Sequence, residues 1–229
     1  MALKKIQNKN NETKRQVLVV DDHPVVRDGL IIIINHEQDL NVCGEAEDAR
    51  SALNAVTELN PDVAVVDVSL KNSDGIELTK NLKVMHPKLP VIVLSVHDES
   101  VYAERALLAG AKGYLMKDAA SENIITAIRT VLGGEIYVSN PILKKFLHKI
   151  AGDKAGNAKT PIESLSDREF EIFRLIGEGH KASQIAKQLS LSVKTIETYR
   201  SRIKEKLNLP NAAELLQYSI KWAKSQDRE

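Results

Sequence analysis

Read only for apolar and polar positions, the chain changes rhythm near residue 135. Up to there, fully apolar runs at Val17–Val20, Leu40–Cys43, Val63–Val66, Val91–Leu94 and Gly113–Met116 alternate with helical patterns at 24–36, 48–59, 74–86, 99–109 and 120–132. A strand with one wet face alternates in polarity. A run apolar at every position is covered on both sides, as in a parallel sheet between helices. The breakers agree: Asn60-Pro61 and Leu89-Pro90 come just before strands, and Gly110 follows a helix ending Ala-Leu-Leu-Ala. Five βα units over residues 16–135 predict a small α/β domain with a doubly wound, five-stranded parallel sheet.

From residue 161 onward the strand pattern is gone. Ser166-Asp-Arg-Glu169 reads as a capping box opening a helix that closes near Gly177-Glu-Gly179. A helix over 182–189, a three-residue turn with Ser192 as N-cap, a helix over 193–207 and one over 211–223 complete an all-α, four-helix unit at 161–229. Residues 136–160 read as a linker. Pro141 opens a short basic amphipathic helix, and the polar stretch after it has almost nothing to bury. Residues 1–15 read as a disordered basic leader.

Composition changes this picture little. At 229 residues, 43% hydrophobic and 28% charged, the chain suits two soluble domains. Its longest aliphatic run, Leu30 to Ile34, is too short to span a bilayer, and no secretory signal is visible, so a cytoplasmic protein without membrane contact is expected. Cys43 stands alone, which rules out an internal disulfide and fits a reducing compartment. The net charge of +1 hides an asymmetry: residues 16–135 carry ten bases and nineteen acids, residues 161–229 twelve bases and ten acids. An acidic body with a mildly basic tail region hints at nucleic acid near the latter.

The candidate chemistry sits where the apolar runs stop. In a parallel α/β sheet the carboxyl ends of the strands line one edge, where ligands bind. The residues there are Asp21 and Asp22, then Asp67, Ser95 and Lys117. Clustered carboxylates raise one another's pKa unless a counter-charge is present. A hard cation resolves this, and Mg²⁺ suits few carboxylates plus waters and phosphate oxygens. A carboxylate in such a site can form an aspartyl phosphate. A hydroxyl and an ammonium beside it can then take hold of the phosphoryl oxygens. The bland reading of single members remains open: Asp21 as a helix cap, Lys117 as a solvated loop charge.

VVDDHP, VVDVSLKNSDG, VLSVHD and GYLMKD, in this order, resemble the receiver domains of two-component response regulators, and the resemblance covers about 16–135. It implies a flavodoxin-like fold with Asp67 as phosphoacceptor. Asp22, Asp67 and the backbone carbonyl of Ser69 would bind Mg²⁺, with Asp21 acting through water. Ser95 and Lys117 would be the phosphate-sensing pair. Tyr114 occupies the aromatic switch position, although a half-buried strand aromatic needs no such role. The chain departs from the pattern at Lys71 and Val96. It also carries Asp118 after the lysine, where many relatives have a cis proline; a trans peptide is expected here.

In the helix over 193–207, Ile196, Tyr199, Ile203 and Leu207 form one apolar stripe. Lys194, Thr198, Ser201 and Glu205 lie opposite. Short polar groups between longer cations suit a duplex, though a mixed-charge face can also simply be solvated. The segment SDREFEIFRLIGEGHKASQIAKQLSLSVKTIETYRSRIKEKLNL resembles the LuxR-type helix-turn-helix of the NarL/FixJ response regulators. By that likeness the third helix reads DNA with Glu197, Thr198 and Ser201 facing the groove and Lys194, Arg200, Arg202 and Lys204 toward phosphates; Thr195 is counted among the DNA-binding residues. It also implies dimerisation through the last helix, with Leu215, Leu216, Ile220 and Trp222; core burial of Trp222 is the alternative. A dimer would fit an inverted-repeat operator.

The expectation is a response regulator and DNA-binding transcription regulator rather than an enzyme. A sensor histidine kinase would charge Asp67, and phosphorylation would control homodimerisation and DNA binding. At most it would take phosphate from small donors and lose it slowly. Two other readings stand beside this one: a regulator that binds DNA without phosphorylation, and an aspartyl-phosphate phosphatase. The six histidines show no metal-ligand spacing, and no GxGxxG or GxxxxGK[ST] motif supports nucleotide binding.

Overall fold

The computed structural model describes residues 14–70, 73–96, 99–144, 161–189 and 191–226. Expectations for the leader before residue 14, for Lys71 and for the linker over 145–160 fall outside the described residues. The first unit contains β1 (Arg15–Val20), α1 (Pro24–Asn35), β2 (Leu40–Ala46), α2 (Ala49–Leu59), β3 (Val63–Asp67), a two-residue pair β4 (Ser69–Leu70) and β5 (Ser73–Asp74), α3 (Gly75–Met85), β6 (Val91–Ser95), α4 (Glu99–Ala109), β7 (Gly113–Met116) and α5 (Ala120–Leu132). Its five long strands are all parallel, in the order β2-β1-β3-β6-β7. The chain direction of winding reverses beside β1, as in flavodoxin-like sheets, and ligand sites lie outside the carboxyl ends there.

The apolar runs are buried on both faces, as expected. Leu18, Val20, Ala64, Val66 and Val93 face one helical layer, and Val17, Val19, Val63, Val65, Ile92 and Leu94 face the other. β1 already begins at Arg15, whose guanidinium meets Asp62 at 3.0 Å, while the Gln16 N–H donates to the other oxygen of Asp62 at 2.7 Å. Asp48 caps α2 through a reciprocal capping box with Ser51, and Asn60 closes that helix in the left-handed region. No cis peptide occurs among the described residues, so the Lys117–Asp118 bond is trans as expected.

The second unit starts with a 3₁₀ turn (Pro161–Ser164) and continues with α6 (Asp167–Gly177), α7 (Ala182–Gln188), α8 (Val193–Lys206) and α9 (Ala212–Gln226). The expected capping box is present: Ser166 accepts from the Glu169 N–H while the Glu169 carboxylate accepts from the Ser166 N–H. Phe170, Ile172, Phe173, Ile185, Ile196, Ile203 and Leu215 form the core of this unit. Trp222 packs against Phe170 and Phe173, with ring centroids 5.3 and 5.7 Å away, so the indole serves the core. Leu216 is left at the surface.

Candidate functional site

Each of the strand-end residues leaves the sheet at its carboxyl edge. β1 delivers Asp21 and Asp22, β3 ends in Asp67, β6 ends in Ser95, and β7 is followed by Lys117. Asp21, Asp67 and Ser95 are buried, a placement that no carboxylate takes without a partner. The partner is Lys117: its ammonium lies 2.7 Å from Asp21 Oδ2 and 2.8 Å from Asp67 Oδ2. The same two carboxylates hold the lysine pKa up against the effect of burial, which is the larger single influence but acts in the opposite sense. For Asp67 the balance falls the other way. Burial, aided by the charge on Asp21, outweighs Lys117 and the Ser69 N–H and raises its pKa from 3.8 to about 6.

His23 adds a group that the sequence reading did not place at this edge. It caps α1 with extended backbone angles, and its N–H donates to Asp21 Oδ1 at 2.8 Å, which turns the imidazole toward the acids. Nδ1 lies 2.7 Å from Asp22 Oδ1 and 3.3 Å from Asp21 Oδ1. Ligand atoms of Asp21, Asp22, His23 and Asp67 therefore all fall within 4.8 Å of one another. Histidine spacing along the sequence could not show this; direct adjacency to the acidic pair was the available signal. The donor set fits a hard divalent ion, since carboxylates dominate it and Asp22 stays partly open to solvent.

Behind the acceptor strand, Gly75 permits a close chain approach that the sequence reading overlooked. A Cβ on it would stand 1.9 Å from the Asp67 carbonyl oxygen. Its N–H donates to the Val68 carbonyl at 2.8 Å, fixing the β4–β5 pair that carries Ser69. Tyr114 is buried on β7, its hydroxyl 4.0 Å from Met116 Sδ. Val96 projects into solvent at 64% exposure, so its bulk does not close over the edge.

In the second unit, α8 presents the expected two faces. Ile196 and Ile203 are buried, while Lys194, Glu197, Thr198, Ser201 and Arg202 are exposed. Thr195 belongs to the cap: its N–H donates to Ser192 Oγ at 3.0 Å. Arg200 pairs with Glu197 at 2.9 Å, one turn back, and the Arg202 guanidinium lies 5.9 Å from the Tyr199 ring centroid. Lys204 is half-buried, and Lys206 ties α8 to the Glu169 carboxylate at 2.6 Å.

An acid-lined receiver edge on a parallel sheet, followed by a helix-turn-helix with an open polar face, defines a signal-dependent DNA-binding regulator. The comparisons give the family. A model described as "Response regulator receiver domain" matches residues 17–129, and one described as "Bacterial regulatory proteins, luxR family" matches residues 163–219. The oxygen regulatory protein NreC of Staphylococcus epidermidis is 35% identical over 211 residues, covering 90% of this chain and 97% of that protein. NreC of Staphylococcus carnosus is 34% identical over 210 residues, with the same coverage. A structure of the response regulator RcsB from Salmonella typhimurium has a TM-score of 0.68 at 29% identity and covers 91% of this chain and 98% of that one. RcsB from Salmonella enterica serovar Typhimurium, bound to the promoter P1flhDC with the phosphomimetic BeF3⁻, has a TM-score of 0.64 at 30% identity, covering 90% and 98%. The chain belongs to the response regulators that join a receiver to a LuxR-type DNA-binding domain, and it is a transcription regulator rather than an enzyme of the usual kind. Among the described residues, no helix is long and apolar enough to cross a membrane.

Proposed function

We propose that Asp67 accepts a phosphoryl group from a sensor histidine kinase and that its charge state governs DNA binding through residues 161–229. The observation that carries this reading is the placement of Asp67, a buried strand-end carboxylate bridged to Asp21 by a single ammonium. A carboxylate oxygen of Asp67 forms the new bond to phosphorus as the bond from phosphorus to the kinase imidazole nitrogen breaks. Asp22, Asp67 and the Ser69 carbonyl are the groups that would hold Mg²⁺, with Asp21 behind them and His23 alongside. Bound there, the ion neutralises the charge of the transferring group. Ser95 and Lys117 then take hold of the phosphoryl oxygens, and Tyr114 reports their movement. Small phosphoryl donors serve in place of the kinase, and the phosphate is lost slowly.

In the same reading α8 enters the major groove. Glu197, Thr198 and Ser201 face base edges, while Lys194, Arg200, Arg202 and Lys204 approach phosphates and Thr195 holds the helix start. The Arg200–Glu197 pair keeps that arginine at the border of the groove face. RcsB, the structural relative, is described with promoter DNA and as dimers on two DNAs. A homodimer of this chain on an inverted repeat, formed in the cytoplasm through α9, follows by analogy. Residues 16–135 and 161–229 act as the two units, with 136–160 between them. Incubation with Mg²⁺ and acetyl phosphate tests the first step: the wild type takes the label and Asp67→Asn does not. Equal labelling of both overturns the assignment.

A further inference from the structure

At the sheet edge opposite Asp67, the amino ends of four strands frame a cavity of about 310 Å³. Arg15 opens β1, Asp62 precedes β3, Pro90 precedes β6 and Lys112 precedes β7. Lys83, near the end of α3, and Lys88, in the loop that follows, add to the polar wall. Leu89, Val131 and Leu132 supply an apolar one. From Asp62 to Asp67 the chain runs the length of β3, roughly 16 Å at the rise of a parallel strand. This cavity is therefore distinct from the acid edge.

The charge that lines it is the reverse of the unit's own. Residues 16–135 carry nineteen acids and ten bases, yet here four cations meet a single carboxylate. That carboxylate is committed: one oxygen of Asp62 faces the Arg15 guanidinium at 3.0 Å, and the other accepts from the Gln16 N–H at 2.7 Å. Among the described residues, Lys83, Lys88 and Lys112 pair with no acid. The carboxyl-terminal ends of α3, α4 and α5 close on the same edge, and each supplies about half a negative charge. Three such ends answer about half of what three ammoniums bring.

Two of the cations are seated by the fold. The stem of Lys83 lies over Gly110, where a Cβ would stand 2.7 Å from the lysine Cγ, and its Nζ donates to the Pro87 carbonyl at 3.4 Å. Gly110 has a φ of +105°, so the same residue makes the turn and clears room for that stem. Lys112 is half-buried. Its N–H donates to the Val91 carbonyl at 2.8 Å, and its carbonyl accepts from the Tyr137 N–H at 2.9 Å. The cavity has about ten times the volume that a water takes in the liquid, near the lower bound for small-molecule sites. A single phosphate leaves most of it empty. Two linked phosphates carry more charge and can meet lysines from more than one segment at once.

We propose that this cavity binds a small molecule bearing a diphosphate group, either free diphosphate or one on an apolar body that rests on Leu89, Val131 and Leu132. The site does not depend on the acceptor role of Asp67. Isothermal titration calorimetry of the full chain with inorganic pyrophosphate, with divalent ions removed by a chelator, tests it. One saturable site per chain is expected, and inorganic phosphate binds more weakly. Lys112→Gln and Lys83→Gln each weaken pyrophosphate binding about tenfold or more, the loss of one charged hydrogen bond, with far-ultraviolet circular dichroism unchanged. Asp67→Asn and Arg202→Ala bind as the wild type does, which separates this site from the acid edge and from the polar face of α8. ADP bound more tightly than pyrophosphate supports the organic source, and ADP bound no more tightly supports free diphosphate. Four results overturn the proposal: no saturable binding, unchanged affinity in either lysine variant, equal affinity for inorganic phosphate, or an affinity altered as much by Asp67→Asn or Arg202→Ala.

Discussion

Replacing Asp67 with Asn takes a charge from a place that holds it poorly. The carboxyl is 2% exposed, and burial lifts its pKa from 3.8 to about 6. At about 1.4 kcal/mol for each tenfold change in an ionisation constant, holding the ionised form at neutral pH costs the folded protein about 3 kcal/mol. Asparagine mimics the protonated acid in shape and charge, so the variant gains stability up to that amount. The sign follows from proton linkage. Between about pH 4 and 6 the native state binds the Asp67 proton and the unfolded chain does not, so wild-type stability falls as pH rises through that window. The variant lacks this slope. The gap between the two is absent near pH 4 and complete above about pH 6.5.

Thermal unfolding without divalent ions, followed by circular dichroism from pH 4.5 to 7.5, reads this directly. A difference of about 3 kcal/mol corresponds to roughly 10 °C for a unit of this size. Saturating Mg²⁺ narrows the gap from the wild-type side, by about 2.7 kcal/mol at a hundredfold excess over its dissociation constant. Two results refute the reasoning: a variant that melts below the wild type at pH 7.5, or a gap of equal size at both ends of the pH range.

Lys117→Met strands two buried carboxylates; it lowers stability at pH 7.5 by about 3 kcal/mol, and urea titration with added Mg²⁺ shows most of the loss restored. Gly75→Ala drives a methyl group into the Asp67 backbone, costing about 1–3 kcal/mol and slowing uptake of label from acetyl phosphate at unchanged Mg²⁺. Arg202→Ala weakens binding to duplexes of every sequence alike and lowers the salt slope by about 1, whereas Thr198→Ala changes the ranking among sequences. Fluorescence anisotropy over a range of salt separates the two.

The features readable in the sequence are those in which a residue's neighbours along the chain decide its fate. Val63–Val66 is apolar at each position because helices cover both faces of β3, and that alone placed Asp67 at a sheet edge. Ser166 and Glu169 found each other across three residues because a helix start brings them together. The β4–β5 pair escaped notice because two-residue strands have no periodicity to detect. His23 escaped because its direction depends on one backbone turn and on the bond from Asp21 to its N–H. Arg105 meets Asp167 at 2.9 Å from 62 residues away on a different unit, and nothing in either helical pattern pairs them. Charge and burial pattern reveal which residues want partners, but not which partner the chain path supplies.

Under the phosphoacceptor role proposed for Asp67, the position of Lys117 would let one small edge serve as both a resting site and a sensor. Its ammonium now answers the charges of Asp21 and Asp67, while its backbone N–H donates to the Ser95 carbonyl at 2.8 Å. Ser95 and Met116 are register partners on adjacent strands. The hydroxyl and the ammonium therefore sit on two strand ends that are already hydrogen-bonded together. A phosphoryl group on Asp67 exchanges one carboxylate charge for about two phosphate charges on more distant oxygens. In the proposed reading the new charge draws Ser95 and Lys117 inward together, because the pairing of β6 with β7 ties their strand ends to each other. The edge that would answer a charge on Asp67 is therefore built from two adjacent strands acting as one hydrogen-bonded piece rather than from isolated side chains.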